Sequence, residues 1–202
     1  MGSLAVASAK PEFAANSEQW EGSTCEFLIL RVLRKEHADL RANIRRVRAL
    51  AKVVAERQQP KHAEVTIVGE LIEDLAAELA AHMLAEEHAV FPVLLDLELA
   101  YVGEGPISMP AKRIEPLLRS MSQQHSAAGR TLTRIHHESN GYHPPAGVGP
   151  EYKQLYEQLA KLDSELRSDV RLEDNILFRR ATQIERDLLR GGPAPGRREQ
   201  IA

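Results

Sequence analysis

The 202-residue chain carries 26 Lys and Arg against 29 Asp and Glu, a formal net charge of −3, with eight His and one Cys. That length suits one domain able to bury its own core, and a single cysteine excludes a disulfide scaffold, a zinc finger or a Cys-ligated cluster held by one chain. The balanced charge excludes a dedicated nucleic-acid binder, and no apolar run reaches the length of a membrane span.

Residues 1–15 lack the basic-then-apolar pattern of a secretory signal, so a cytoplasmic protein is expected. Residues 1–22 read as a flexible segment. Ser23-Thr24-Cys25-Glu26 reads as a capping box with Ser23 as N-cap and Glu26 reaching back. Leu33, His37, Leu40, Ile44, Val47 and Val54 then form the stripe of a long amphipathic helix that stops near Gln58-Gln59-Pro60. A second helix is predicted from about Ala63 to Glu98, kinked at Pro92. Gly103-Glu104-Gly105-Pro106 is a connection. A third helix runs through Ile114, Leu118, Met121, His125, Leu132 and Ile135, starting at Pro110 or Pro116. Ser139 to Gly149 is a loop. The fourth helix starts near Pro150 and ends near Gly191-Gly192-Pro193, leaving 191–202 as a disordered tail. Four helices with short connections and no strand alternation predict an all-α, up-down-up-down antiparallel four-helix bundle spanning residues 23–190.

Six polar residues interrupt the apolar stripes: His37, His82, Glu86, His125, Asp169 and Glu173. A lone His on such a stripe is usually a hydrogen-bonded core residue. Their distances from the three turns, however, place all six at one height in an antiparallel bundle, within about one turn, or roughly 5 Å. His82/Glu86 and Asp169/Glu173 have i,i+4 spacing and share a helix face. Six unsatisfied buried polar groups at about 1–3 kcal/mol each would rival the ~5–15 kcal/mol net stability of a whole domain. The layer must therefore satisfy itself as a His–carboxylate network or hold metal. Three carboxylates packed among three imidazoles call for a counter-charge, which favours metal. Six nitrogen and oxygen donors exceed what a structural zinc needs and suit two ions, iron before zinc or manganese. Glu86 and Glu173 stand on different helices, where they can bridge.

His37, His82-Met83-Leu84-Ala85-Glu86-Glu87 leading to Val90-Phe91-Pro92, His125 before Ala127-Ala128-Gly129, and Leu172-Glu173-Asp174-Asn175-Ile176-Leu177-Phe178 together resemble the hemerythrin-like (HHE cation-binding) family over residues 23–185. Within it the likeness is greatest to the di-iron proteins that repair iron centres. The resemblance implies an oxo- and carboxylate-bridged pair of iron ions held by His37, His82, Glu86, His125 and Glu173, with Asp169 where the family has a fourth His. It implies small-molecule partners such as nitric oxide or oxygen, damaged iron–sulfur proteins as further partners, and a monomer or weak dimer. Asp169 is the main departure. Arg179 stands where the family usually has proline. The family's cysteine-containing N-terminal module is not seen, and Cys25 cannot supply a dithiol.

Of the remaining histidines, His62 reads as a surface or capping residue, His88 as a surface residue or one that backs the ligands, and His136, His137 and His143 as a surface loop that lacks the carboxylate geometry of a second metal site. Arg167, Arg171, Arg179 and Arg180 read as a solvated charged face, and Cys25 as a small apolar residue near a cap. The function expected is cluster repair under nitrosative or oxidative stress, by binding or reducing nitric oxide or oxygen species or by supplying iron. A hemerythrin-like sensor or carrier without turnover is the alternative, and a metal-free interaction bundle the third.

Overall fold

The computed structural model describes residues 20, 22–58, 64–104 and 114–191. Its helices are α1 (Cys25–Arg31), α2 (His37–Gln58), α3 (Glu64–Ala85), α4 (Phe91–Val102), α5 (Ile114–Glu138), α6 (Pro150–Leu172) and α7 (Phe178–Leu189). Three π-helical turns, Val32–Glu36, Glu86–Val90 and Glu173–Leu177, join α1 to α2, α3 to α4 and α6 to α7. The segments thus form four helical rods, with no strand among the described residues, as the periodicity predicts. The first interhelical turn at Gln59-Pro60, His62, Gly105-Pro106, Pro110 and the terminal segments 1–19, 21 and 192–202 lie outside the described residues.

Local chemistry sets the helix ends. The first helix is capped by Thr24 and not by Ser23: the Thr24 hydroxyl accepts the Phe27 N–H at 3.1 Å. Glu26 does not reach back; its own N–H is taken by Glu98 Oε2 at 3.0 Å. The second rod continues past Glu98 to Val102 and stops at Gly103, whose φ of +80° is the left-handed region that favours glycine. Pro92 stands in the first turn of α4, directly after the π turn. There the Phe91 N–H reaches back five residues to the Glu86 carbonyl, so the ladder is already in a wider register where proline's missing N–H would break it. The third rod starts at Ile114, before Pro116.

The core divides in two. One cluster, which includes Ile44, Val47, Leu75, Leu79, Leu132 and Leu159, fills the end of the bundle near Gln58, Glu64 and the 138–150 connection. The other, including Leu28, Val32, Phe91, Leu94, Leu177 and Phe178, fills the opposite end. Between them lies a buried polar layer containing His37, His82, Glu86, His125 and Glu173.

Candidate metal centre

The structure brings four of the six expected residues into one cluster. His82, Glu86, His125 and Glu173 are all buried, and each offers a donor atom within 4.8 Å of the others. His37 joins them through Glu86, its Nε2 lying 3.0 Å from Glu86 Oε2. Asp169 is not part of the tight cluster. It is half-buried, faces Glu36, and lines a small internal cavity with Glu36, His37, His82 and Glu173. His88, His136, His137 and His143 are exposed, as expected.

Three carboxylates with a part in this layer escaped the stripe reading: Glu36, Glu87 and Asp174. Glu87 Oε1 accepts from His37 Nδ1 at 2.7 Å and from Arg41 Nη2 at 2.7 Å. Asp174 Oδ1 accepts from His125 Nδ1 at 3.1 Å. Glu87 and Asp174 each directly follow a buried glutamate at the start of a π turn, so two successive residues both serve the layer. Such contacts fix which imidazole nitrogen faces inward and raise its basicity. The sequence signal was an acidic residue immediately after Glu86 and after Glu173.

These contacts repeat at a spacing of 87–88 residues. Phe91 stacks on His37 and Phe178 on His125, with ring centroids 6.0 and 6.1 Å apart. Asn43 donates to Glu165, and Thr131 to Glu78. Glu98 accepts the N–H of Glu26, and Glu185 that of Ile114. Two helical hairpins thus build two half-sites on one plan, in which Asp169 occupies the position that His82 holds in the other.

Burial and neighbouring charge spread the proton affinities widely. Burial pulls His82 down to about 4, with His125 and His37 adding to the effect against Glu173. Burial also opposes charge on His125, but Asp174 and Glu173 outweigh it and raise the imidazole to about 10. His37 is raised in the same way against its burial, by Glu86 and Glu87. Burial pushes the Asp169 carboxyl up to about 8, assisted by Glu36 and Glu173, and burial with the Glu86 charge raises Glu173. Away from the layer, burial and then Glu98 raise the Cys25 thiol to about 12, which makes it a packed apolar group and not a nucleophile.

The donor set fits a metal. His82 Nδ1, Glu86 Oε1 and His125 Nε2 are buried without a hydrogen-bond partner; His125 Nε2 lies 3.0 Å from Glu173 Oε2 but off the bonding direction. Orphaned buried groups of this kind are costly unless something unseen completes them. Nitrogen and carboxylate oxygen donors together suit iron, zinc or manganese.

Comparison with known proteins agrees with this chemistry. A family model described as "Hemerythrin HHE cation binding domain" matches residues 28–181. The iron–sulfur cluster repair protein YtfE of Escherichia coli O81 (strain ED1a) is 33% identical over 107 residues, covering 53% of this chain and 43% of that protein. Its counterparts in E. coli O157:H7 and E. coli K12 (DH10B) are 32% identical over the same length. The chain therefore matches less than half the length of these relatives. No helix among the described residues is long and apolar enough to cross a membrane. With the family model matching most of its length and its donors gathered in one buried layer, the chain belongs to the hemerythrin HHE cation-binding domain family.

Proposed function

We propose that this chain is a non-haem di-iron protein of the iron–sulfur-cluster-repair kind. It acts in the cytoplasm under nitrosative or oxidative stress, binding or reducing nitric oxide or oxygen species or supplying iron to damaged clusters. His37, His82, His125 and Asp169 would hold the iron as terminal ligands, with Glu86 and Glu173 as the carboxylates between them. The observation that carries this reading is the four-donor cluster within 4.8 Å, in which Glu86 Oε1 and His125 Nε2 are buried without hydrogen-bond partners. Bound iron would supply a Lewis acid and a source of electrons. The protein's own contribution is orientation and exclusion of water. Glu87 and Asp174 turn Nε2 of His37 and His125 inward, and the two apolar clusters seal the layer from both ends.

The test is metal per chain after anaerobic loading, followed by anaerobic nitric oxide. About two iron ions per chain, with nitrous oxide release or recovery of an inactivated iron–sulfur enzyme, is the expected result. A reversible spectral change without turnover would favour the sensor or carrier reading. Less than about a tenth of an equivalent of any transition metal would leave only the metal-free bundle.

A further inference from the structure

The two half-sites share a plan but end differently. His82 faces the helix carrying Gln124 and His125, and the three side chains line one pocket. Asp169 faces the helix carrying Glu36 and His37. An imidazole beside an amide in one half is therefore replaced by two carboxyl groups in the other.

The carboxyl pair is also placed between solvent and the layer. Glu36 and Asp169 line a surface cavity of about 170 Å³ with Asp39, Glu165 and Arg31. The same two residues line the inner cavity with His37 and Glu173. Glu36 is only 7% exposed; Arg31 Nη2 holds its Oε1 at 2.8 Å, and Lys35 lies 3.7 Å from Oε2. On the other side of His37, Glu86 is fully buried, with Oε2 on His37 and Oε1 unpartnered. A carboxylate oxygen beside this group of donors is thus available to a cation.

We propose that Glu36 joins His37 and Asp169 in an oxygen-rich second metal position, which takes a divalent ion such as Fe²⁺ or Mn²⁺ and exchanges it with solvent faster than the His82–His125 position does. The inference rests on the two-metal reading above and adds a seventh donor and an asymmetry to it. Hard carboxylate oxygens suit Mn²⁺ and Fe²⁺ and discriminate less sharply than imidazole nitrogen. A position whose ligands also wall a surface cavity has a short exit path.

The test loads the full chain anaerobically with Mn²⁺ or Fe²⁺, counts metal per chain, and follows its release to a chelator. Wild type is expected to hold two ions that leave in two phases, the faster by about tenfold or more. Glu36→Gln and Asp169→Asn are expected to keep one ion, lose the fast phase, and retain the helical circular dichroism of wild type. Arg31→Gln, which leaves both carboxylates in place, is expected to keep two. A wild type holding one ion or none overturns the two-metal reading itself. Two ions with unchanged release in both carboxylate variants overturns the role of Glu36 and Asp169 alone. Loss of the fast phase in Arg31→Gln as well would assign the effect to packing and overturn the ligand role of Glu36.

Discussion

The hairpin formed by residues 25–102 and the one formed by 114–189 carry out the same task with nearly the same parts. Each presents an inward histidine, His37 or His125, to a glutamate, an acidic neighbour and a phenylalanine from the partner rod. They differ where the first has His82 and the second Asp169, and where the first rod has Glu36 and the third Gln124. In the two-ion reading proposed above, the common parts would orient and bridge, and the differing parts would be terminal donors. On that reading, a duplicated scaffold would keep its geometry while the hardness of its two donor sets changes.

The comparison is broken most directly at the shared carboxylates. Glu86 and Glu173 occupy matching positions, are 0% and 3% exposed, and each meets an imidazole at 3.0 Å. Glu86→Ala and Glu173→Ala are each expected to reduce bound metal about tenfold or more, measured by elemental analysis at fixed protein. If only one of them empties the centre, the two halves are not equivalent.

One level outward, Glu87→Ala and Asp174→Ala remove the acceptor that orients His37 or His125. Loss of such a partner typically costs about 10–100-fold in metal affinity, and competition with a chelator measures it. Asp174 accepts from His125 Nδ1 at 3.1 Å, whereas Glu87 accepts from both His37 and Arg41. The two losses are expected to fall in the same range, and an effect from only one would show that the histidines are oriented by different means.

Much of this was legible in the sequence because helices expose their buried face as a period. That period found His37, His82, Glu86, His125 and Glu173, and placed Asp169 at the right height. It missed Glu36, Glu87 and Asp174 because each is the chain neighbour of a stripe residue, His37, Glu86 or Glu173, and a helical period assigns only one of two neighbours to the buried face. The repeat escaped for another reason. Its halves share contacts more than letters: Asn43–Glu165 matches Thr131–Glu78, and Glu98 matches Glu185 in which backbone N–H it accepts. The cap shifted by one residue for a local reason, since Ser23 and Thr24 are both good caps and only the backbone decides between them.

Protonation sharpens the contrast next. In the metal-free protein at pH 7, His125, raised to about 10, and Asp169, raised to about 8, hold protons that metal must displace, whereas His82, lowered to about 4, holds none. Metal loading therefore releases protons, so affinity rises with pH, by up to about tenfold per unit for each proton displaced. The Asp169 contribution ends above about pH 8 and the His125 contribution near 10. The slope between pH 8 and 10 should shrink in Asp174→Asn, because His125 loses a carboxylate that raises it. Unchanged slopes in that variant would remove Asp174 as a cause of the shift.

The smallest effect lies at the helix starts, where the hairpins differ without touching the metal. The first rod has two acceptors for its free N–H groups, Thr24 for Phe27 and Glu98 for Glu26. At the start of the third, Glu185 takes the Ile114 N–H at 3.3 Å. Thr24→Ala removes one cap from a helix that retains the other, at a cost of about 1 kcal/mol. For a domain of this size that lowers Tm by roughly 2–4 °C. Because the cap lies at the far end of the Leu28–Phe178 cluster, metal content and release should match wild type. A change in either would mean that the capped end and the metal layer are coupled through α1 and its π turn, and that the halves differ in rigidity as well as in donors.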